Sequence, residues 1–291
     1  MTGEELSAPE LAGLLDRALE LKADPYASRA LEARTVALLF EHPSTRTRTS
    51  FEAGITELGG HPMILRANEL QLSRGESLRD TALVFSRHAA AIGFRTGSEA
   101  SLRELAAHAT VPVINMLSPE HHPCQALADL MTLREAFGSL EGRTLAYIGD
   151  GNNVARSLAI FGAMGGLKVR ISSPEGFQLD GAHGAVLVDD PYAAADGADV
   201  LYTDVWVSLG DDEAETARRH QALSAYRIDD ALLDRAAPGA FALHCLPAHP
   251  GEEITEQVLY GERQRIWDQA ENRRHAQKSL LELLVGPDPI R

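Results

Sequence analysis

Residues 36–52 read Val-Ala-Leu-Leu-Phe-Glu-His-Pro-Ser-Thr-Arg-Thr-Arg-Thr-Ser-Phe-Glu. The apolar run 36–40 predicts a buried parallel strand, because such strands are covered by helices on both faces. Phe51, Ile55 and Leu58 then recur at the spacing of a helix core stripe. The chain therefore changes from strand to helix near Pro43, and either Ser44 or Thr45 is expected to cap that helix.

The start of this predicted helix is unusually rich in arginine. Arg46 and Arg48 fall in its first turn or so. Cations are unfavourable there, because unpaired backbone N–H groups already make a helix N-terminus positive. Arginines and hydroxyl groups crowded at that point suit a doubly charged anion, and a phosphate group fits best. A capped surface helix with solvated arginines is the alternative, and the motifs downstream favour the anion site.

Composition and charge limit the functions that are open to the chain. Its 291 residues are enough for two domains, and 44% hydrophobic residues are ordinary for a globular protein. The net charge of −15 argues against nonspecific binding to nucleic acid or an anionic membrane. The two cysteines form no disulfide framework and no Cys/His spacing predicts zinc. With no signal peptide or apolar spanning run, a cytoplasmic protein without metal or cofactor is expected.

Strands and helices alternate through the first half of the chain. After residues 36–52, the predicted strands are 61–66, 89–94 and 111–117, and the predicted helices are 76–88 and 98–108. An earlier helix is predicted at 8–21. This alternation predicts a parallel α/β sheet, and such sheets bind ligands at the carboxyl ends of their strands. Residues 44–47, Arg95 and the segment after Leu117 all follow strands. We therefore expect them to converge on one crevice.

His122 and Gln125 flank the start of the next predicted helix. Pro123 suits the first turn of a helix and favours an extended conformation for the residue before it. An ordinary His-Pro turn is the alternative. The position after the fourth strand favours two side chains that face the same ligand as the arginines.

The second half repeats the alternation and predicts a second domain. A strand at 144–148 leads into Gly149-Asp150-Gly151-Asn152-Asn153, and Val154 replaces the third glycine of a dinucleotide fingerprint, which weakens a nicotinamide interpretation. Paired asparagines at a strand end suit a substrate carboxylate or amine, although a plain turn remains open for Asn152.

Asp204 is a candidate anchor for a substrate ammonium group. It lies toward the end of a predicted strand at 199–207, and the loop 208–210 that follows is expected to move. A domain boundary is predicted at 137–143. The leucines of the last helix are expected to pack back on the first domain.

Several motifs together resemble the transcarbamylases, in that family's order, over roughly residues 30–285. They are Ser44-Thr45-Arg46-Thr47-Arg48, His122-Pro123-Cys124-Gln125, Gly149-Asp150-Gly151-Asn152-Asn153, Asp204 to Gly210 and His244-Cys245-Leu246-Pro247. The last two resemble the ornithine branch rather than the aspartate branch. The resemblance implies an α/β fold of two domains, each a parallel β-sheet flanked by helices. The expected domains are 1–138, joined by the C-terminal helix 270–291, for carbamoyl phosphate and 139–269 for ornithine.

The resemblance also implies an activity and its residues. The expected enzyme is a homotrimer that transfers the carbamoyl group of carbamoyl phosphate to the side-chain amine of L-ornithine, giving L-citrulline and phosphate without a cofactor. The residues implied for carbamoyl phosphate are Ser44, Thr45, Arg46, Thr47, Arg95, His122, Gln125, Cys245, Leu246 and Arg273. Those implied for ornithine are Asn153, Asp204, Ser208 and Leu209. Catalysis is expected from Arg46, Thr47, Arg95, His122 and Cys245, and a cis peptide bond is expected before Pro247.

The chemistry of these side chains agrees with that activity. Attack by an amine places negative charge on the carbonyl oxygen, and Thr47, Arg95 and His122 are suitable donors to it, each worth ~3 kcal/mol of barrier. Arg46 and Arg273 would stabilise the departing phosphate through charge-assisted hydrogen bonds. Because the attacking amine must be neutral, activity is expected to rise into the alkaline range.

The acceptor amine is the less constrained part of the prediction. Leu209 stands where the family's loop usually carries methionine, and the segment 174–199 is shorter than the family norm. Putrescine or an acylated ornithine is therefore an alternative acceptor. The alternatives of another class are a non-catalytic carbamoyl-phosphate sensor and a nucleotide-binding module on the Gly149 loop.

Overall fold

The computed structural model describes residues 2–207 and 212–286. The chain divides into two compact units, each built on a parallel β-sheet. Unit 1 comprises Met1–Met131 and Glu271–Arg291, and unit 2 comprises Thr132–Ala270. None of the helices in the described part of the chain is long and apolar enough to cross a membrane.

The sheet of unit 1 has the strand order β2-β1-β3-β4 among the described residues. Its strands are β1 Thr35–Phe40, β2 His61–Arg66, β3 Ala91–Arg95 and β4 Val113–Leu117, and its helices include α1 Ala8–Ala23, α2 Thr45–Glu57, α3 Leu78–His88 and α4 Glu99–His108. Helix α5, Pro123–Phe137, begins after β4. Predicted helix 76–88 begins later than expected because Ser77 caps it, accepting a hydrogen bond from the backbone N–H of Asp80 over 3.0 Å.

Strand β1 is buried on both faces, as its apolar run predicted. Val36 and Leu38 belong to one core cluster, which includes Phe51 of α2 and Leu281 near the C-terminus. Leu39, which points to the other face, belongs to a second cluster with residues of β3 and α4. The leucine-rich end of the C-terminal helix α11, Ile266–Val285, thus supplies part of the unit 1 core.

The register of the sheet brings three strand ends of unit 1 side by side. Phe40 at the end of β1 pairs with Arg95 at the end of β3, and Arg95 pairs with Leu117 at the end of β4. The segments that follow these strands therefore leave the sheet at the same edge.

The sheet of unit 2 has the order β7-β6-β5-β8-β9 within the described ranges. Its strands are β5 Thr144–Ile148, β6 Lys168–Ser172, β7 Val186–Leu187, β8 Val200–Thr203 and β9 Phe241–His244, and its helices include α6 Asn153–Met164, α7 Pro191–Ala195, α8 Glu213–Leu223, α9 Asp230–Leu233 and α10 Glu256–Tyr260. The predicted strand 199–207 ends early, at Thr203. The Asp204 carboxylate accepts a hydrogen bond from the backbone N–H of Val205, so this N–H does not bond to a neighbouring strand.

Candidate active site

In unit 1 the start of α2 carries the predicted anion-binding residues. Ser44 is the cap: its hydroxyl accepts a hydrogen bond from the backbone N–H of Thr47 over 3.3 Å. Thr45 is therefore the first helical residue, and it is exposed. Thr47 is buried within the first turn. The two cap candidates left open by the sequence are thus resolved in favour of Ser44.

Arg273 of α11 contacts Thr47 and Gln125. Its Nη2 donates to the Thr47 hydroxyl over 2.8 Å, and its Nη1 donates to the Gln125 side-chain oxygen. Gln125 in turn donates from Nε2 to the carboxylate of Asp129 over 2.8 Å. All four side chains are buried. This network joins elements that are more than two hundred residues apart in sequence.

Positive charge accumulates around His122, which is buried. Burial lowers the pKa of His122 well below its usual value, and the positive charges of Arg273, Arg95 and Arg46 lower it further. Burial also lowers the pKa of Arg95, to about 10, with Arg273 and Arg46 acting in the same direction. The mutual influence of these groups places them in one electropositive cluster, which favours an anion.

Arg48 differs from Arg46 in its surroundings. Its Nε lies 3.5 Å from Glu52 Oε2, one turn along the same helix. The positive charge of Arg46 instead lowers the pKa of the buried His122 and of the half-buried Arg95. Of the two arginines at the start of α2, Arg46 is therefore the one that the structure associates with the cluster.

In unit 2 the ends of neighbouring strands assemble around Asp204, which is 8% exposed. The Cys245 thiol lies 2.8 Å from Asp204 Oδ1, and Asn152 donates from Nδ2 to Asp204 Oδ2 over 2.7 Å. Strand pairing explains why these three side chains lie together. Strand β8 pairs with both β5 and β9, and Asn152, Asp204 and Cys245 follow β5, β8 and β9 respectively. Asn153, the first residue of α6, is half-buried beside this group.

The His-Cys-Leu-Pro turn is held by buried hydrogen bonds at both ring nitrogens of His244. His244 Nε2 lies 3.0 Å from Glu253 Oε1, and His244 Nδ1 accepts from the backbone N–H of Leu246 over 2.8 Å. Since Nδ1 accepts, the proton of a neutral ring is on Nε2, facing Glu253. The Leu246–Pro247 peptide bond is cis, so that expectation is confirmed.

The loop after Asp204 is anchored at its start. Trp206 is 2% exposed, and Arg219 of α8 donates to its carbonyl oxygen over 3.0 Å. Arg219 also pairs with Asp150 at 2.7 Å. Ser208 and Leu209, predicted to contact ornithine, lie outside the described residues, as does the whole of the loop 208–210 that was expected to move.

Asp204, His244 and Cys245 also place potential metal ligands within 4.8 Å of one another. Both imidazole nitrogens of His244 already have protein partners. A metal ion at this point would therefore have to break the bonds that hold the turn.

Two domain models of one protein family match the two halves of the chain. The model for the carbamoyl-P binding domain of aspartate/ornithine carbamoyltransferase matches residues 1–135, and the model for the Asp/Orn binding domain matches residues 141–284. The chain belongs to the aspartate/ornithine carbamoyltransferase family. The resemblance seen in the sequence motifs is confirmed.

Relatives within this carbamoyltransferase family cover nearly the whole chain. The ornithine carbamoyltransferase of Acidothermus cellulolyticus is 53% identical over 98% of this chain and 96% of its own length. The solved ornithine carbamoyltransferase of Pyrococcus furiosus is 42% identical, covers 98% of this chain and 96% of its own, and superposes with a TM-score of 0.93. That of Thermus thermophilus is 41% identical over 97% of each chain, with a TM-score of 0.91. The predicted fold class is therefore confirmed.

Sequence reasoning left out several residues that the carbamoyltransferase structure links to the predicted ones. Asp129 is one helical turn after Gln125, a spacing that could have identified it. For Asn152 a plain turn was left open, although an asparagine directly before a helix is also a capping signal. Glu253 had no local signal, because its partner is on a different element.

Proposed function

We propose that this chain transfers the carbamoyl group from carbamoyl phosphate to the side-chain amine of L-ornithine, forming L-citrulline and phosphate. The observation that carries the proposal is the cluster around Arg273 in unit 1. Arg273 donates hydrogen bonds to Thr47 and Gln125. Its positive charge lowers the pKa of the buried His122, as do the charges of Arg95 and Arg46. The high identity to proteins named ornithine carbamoyltransferase along nearly their entire length supports it.

The phosphate of the donor is assigned to the start of α2. Backbone N–H groups at a helix N-terminus point at a bound anion. Ser44, Thr45 and Thr47 add hydroxyl donors, and Arg46 and Arg273 add guanidinium groups. Charge-assisted hydrogen bonds of this kind contribute roughly 1.5–3 kcal/mol each, and they matter most as phosphate leaves with its full negative charge.

The carbonyl oxygen of the donor is assigned to Thr47, Arg95 and His122. Negative charge develops on this oxygen when the amine attacks, and donors already in place stabilise it without reorganisation. His122 acts as a neutral donor in this scheme, because burial and three arginines oppose its protonation. Gln125, whose oxygen faces Arg273, is assigned to the carbamoyl group.

The acceptor amine is assigned to unit 2. The Asp204 carboxylate is the group suited to an ammonium of ornithine, and Asn153, Ser208 and Leu209 are proposed to hold the rest of that amino acid. The Cys245 thiol lies against the same carboxylate. We accordingly assign carbamoyl phosphate to unit 1 and ornithine to unit 2, and we propose a homotrimer, which analytical ultracentrifugation would test.

The proposal is tested by measuring citrulline formation from carbamoyl phosphate and ornithine. Replacing Arg46 by alanine is expected to lower turnover by several orders of magnitude with the fold intact, since charge-assisted contacts to the leaving phosphate are lost. Arg48→Ala is the matched control, because Arg48 is paired with Glu52 on the same helix. That variant should retain activity within a few-fold.

Parallel assays with putrescine and N-acetylornithine identify the acceptor. Ornithine is expected to be the preferred amine. Preference for another amine would keep the reaction and change the substrate. Tight binding of carbamoyl phosphate without turnover of any amine would contradict the proposal and indicate a sensor, and a rise in melting temperature with NAD would indicate a nucleotide-binding module.

A further inference from the structure

We infer that Asn152 is a positioning residue that aims the Asp204 carboxylate at an ammonium group of ornithine. The inference rests on the proposed function, and it extends the site to a residue that contacts no substrate in that proposal. It follows from the hydrogen bonds at the two ends of one amide side chain.

The start of α6 determines which way the Asn152 amide points. Its Oδ1 accepts from the backbone N–H groups of Val154, at 2.9 Å, and Ala155, at 3.2 Å. The Tyr147 hydroxyl donates to the same oxygen over 3.3 Å. Free N–H groups at a helix N-terminus can only donate, so they bind the oxygen end of the amide and exclude the nitrogen end.

The nitrogen end of Asn152 consequently faces away from the helix, toward Asp204. Nδ2 donates to Asp204 Oδ2 over 2.7 Å, a length typical of a hydrogen bond to a carboxylate. The assignment of oxygen and nitrogen in this amide is therefore fixed by chemistry, because a carboxylate accepts and does not donate.

Two further contacts of the Asp204 carboxylate, both from described residues, reach its other oxygen. The Asp204 Oδ1 atom accepts from the backbone N–H of Val205 over 2.8 Å, and the Cys245 thiol lies 2.8 Å away. Asn152 thus holds the second oxygen and prevents the carboxyl group from rotating about its terminal bond. A carboxylate fixed in this way presents its free lone pairs to a cation in one direction, and preorganisation of this kind reduces the cost of binding.

The decisive variant is Asn152→Asp, which has nearly the same shape. An aspartate oxygen still caps α6, and negative charge is favourable at a helix N-terminus. The variant loses the donor and puts a second carboxylate against Asp204. The KM for ornithine is expected to rise between about tenfold and about a hundredfold, the effect of losing a hydrogen bond to a charged group. The Kd for carbamoyl phosphate should stay near the wild-type value.

Two further variants separate positioning from helix capping. Asn152→Ser keeps a capping oxygen but is too short to reach Asp204, so it should show the ornithine defect without an added charge. Asp229 caps α9 in the same unit, accepting from the backbone N–H of Leu232 over 2.8 Å. Asp229→Ala should lower the thermal midpoint and leave the KM for ornithine unchanged.

The outcomes distinguish this inference from the function on which it rests. Wild-type protein that forms no citrulline would overturn the proposed function. Wild-type activity together with an unchanged KM for ornithine in both Asn152 variants would overturn the positioning role alone. A lowered thermal midpoint with equal losses for both substrates would also overturn it, because Asn152 would then be only a cap.

Discussion

His122 shows how its surroundings change the chemistry of a single residue. A histidine beside a phosphate site suggests an imidazolium that neutralises the anion. Burial and the charges of Arg273, Arg95 and Arg46 instead keep its pKa well below the ordinary value, so the ring is neutral in the ligand-free protein. It can still donate one hydrogen bond to a developing oxyanion without competing with the arginines for charge.

We expect NMR of the free protein to detect this neutral ring. The Cε1–H resonance of His122, assigned through His122→Gln, should keep its neutral position as the pH falls from about 8 to about 6, whereas a histidine in the unfolded chain titrates near 6.5. A full titration with a midpoint near 6.5 would contradict the assignment of His122 as a neutral donor.

The same shift has a consequence for stability. The unfolded chain binds a proton at His122 at a higher pH than the native protein does, so the free energy of unfolding falls as the pH drops below about 6.5. The contribution that the neutral His122 makes to the free energy of unfolding is thus present above about pH 6.5 and is lost in acid. His122→Gln should therefore reduce the loss of stability between about pH 6.5 and about pH 5, as followed by urea unfolding.

At the scale of elements, the segment after β6 packs closely on the Gly149 loop. The backbone N–H of Gly151 donates to the carbonyl of Phe177 over 2.8 Å. A Cβ built on Gly151 would lie 2.3 Å from the backbone nitrogen of Leu179. Phe177 and Leu179 are buried. The absence of a side chain at residue 151 therefore allows this segment to cover the loop that precedes α6.

Gly151→Ala should consequently destabilise unit 2. The added methyl group meets backbone rather than a flexible side chain, and overpacking of this kind costs typically 1–3 kcal/mol. The control is Gly13→Ala in α1, where a Cβ would meet nothing within 4 Å. Alanine at this helical position should raise stability by up to about 1 kcal/mol. Thermal unfolding of both variants checks the opposite signs, and equal shifts would contradict the packing argument.

At the scale of the whole molecule, a protein of net charge −15 concentrates arginines at the site proposed for phosphate. Three of them lie on different elements: Arg46 on α2, Arg95 at the end of β3 and Arg273 on α11. The overall negative charge opposes nonspecific association with polyanions. In the proposed function, anion binding therefore depends on this local cluster of arginines.

The proposed reaction as a whole should depend on the protonation of the acceptor. An alkyl amine such as that of the ornithine side chain has a pKa near ~10.4, so its neutral fraction rises about tenfold per pH unit below that value. The cluster itself changes little in this range, since His122 is already neutral and the pKa of Arg95 is about 10. The kcat/KM for ornithine should therefore rise from about pH 6 to about pH 9. Arg46→Ala should lower the rate and leave this slope, and a flat profile would contradict attack by the free amine.

The sequence by itself determined the features that depend on neighbours along the chain. The apolar run of β1, the helix beginning at Ser44-Thr45 and the alternation of strands with helices follow from hydrophobic periodicity and capping, which act over a few residues. These local signals, together with motifs in the order found in one family, were sufficient to predict the fold class and the family. Both predictions are confirmed. The ends of elements were less predictable: the strand expected at 199–207 stops at Thr203, because the Asp204 side chain binds the next backbone N–H.

Only the tertiary structure decided which side chains meet. Thr47, Gln125 and Arg273 lie on three elements, and no spacing along the chain indicates that Arg273 donates to both of the others. The distinction between Arg46 and Arg48, the neutral state of His122 and the link from Asn152 to Asp204 also depend on burial and on partners distant in sequence. The physical reason is that hydrogen-bond direction and desolvation are set by three-dimensional surroundings, which a linear pattern does not contain.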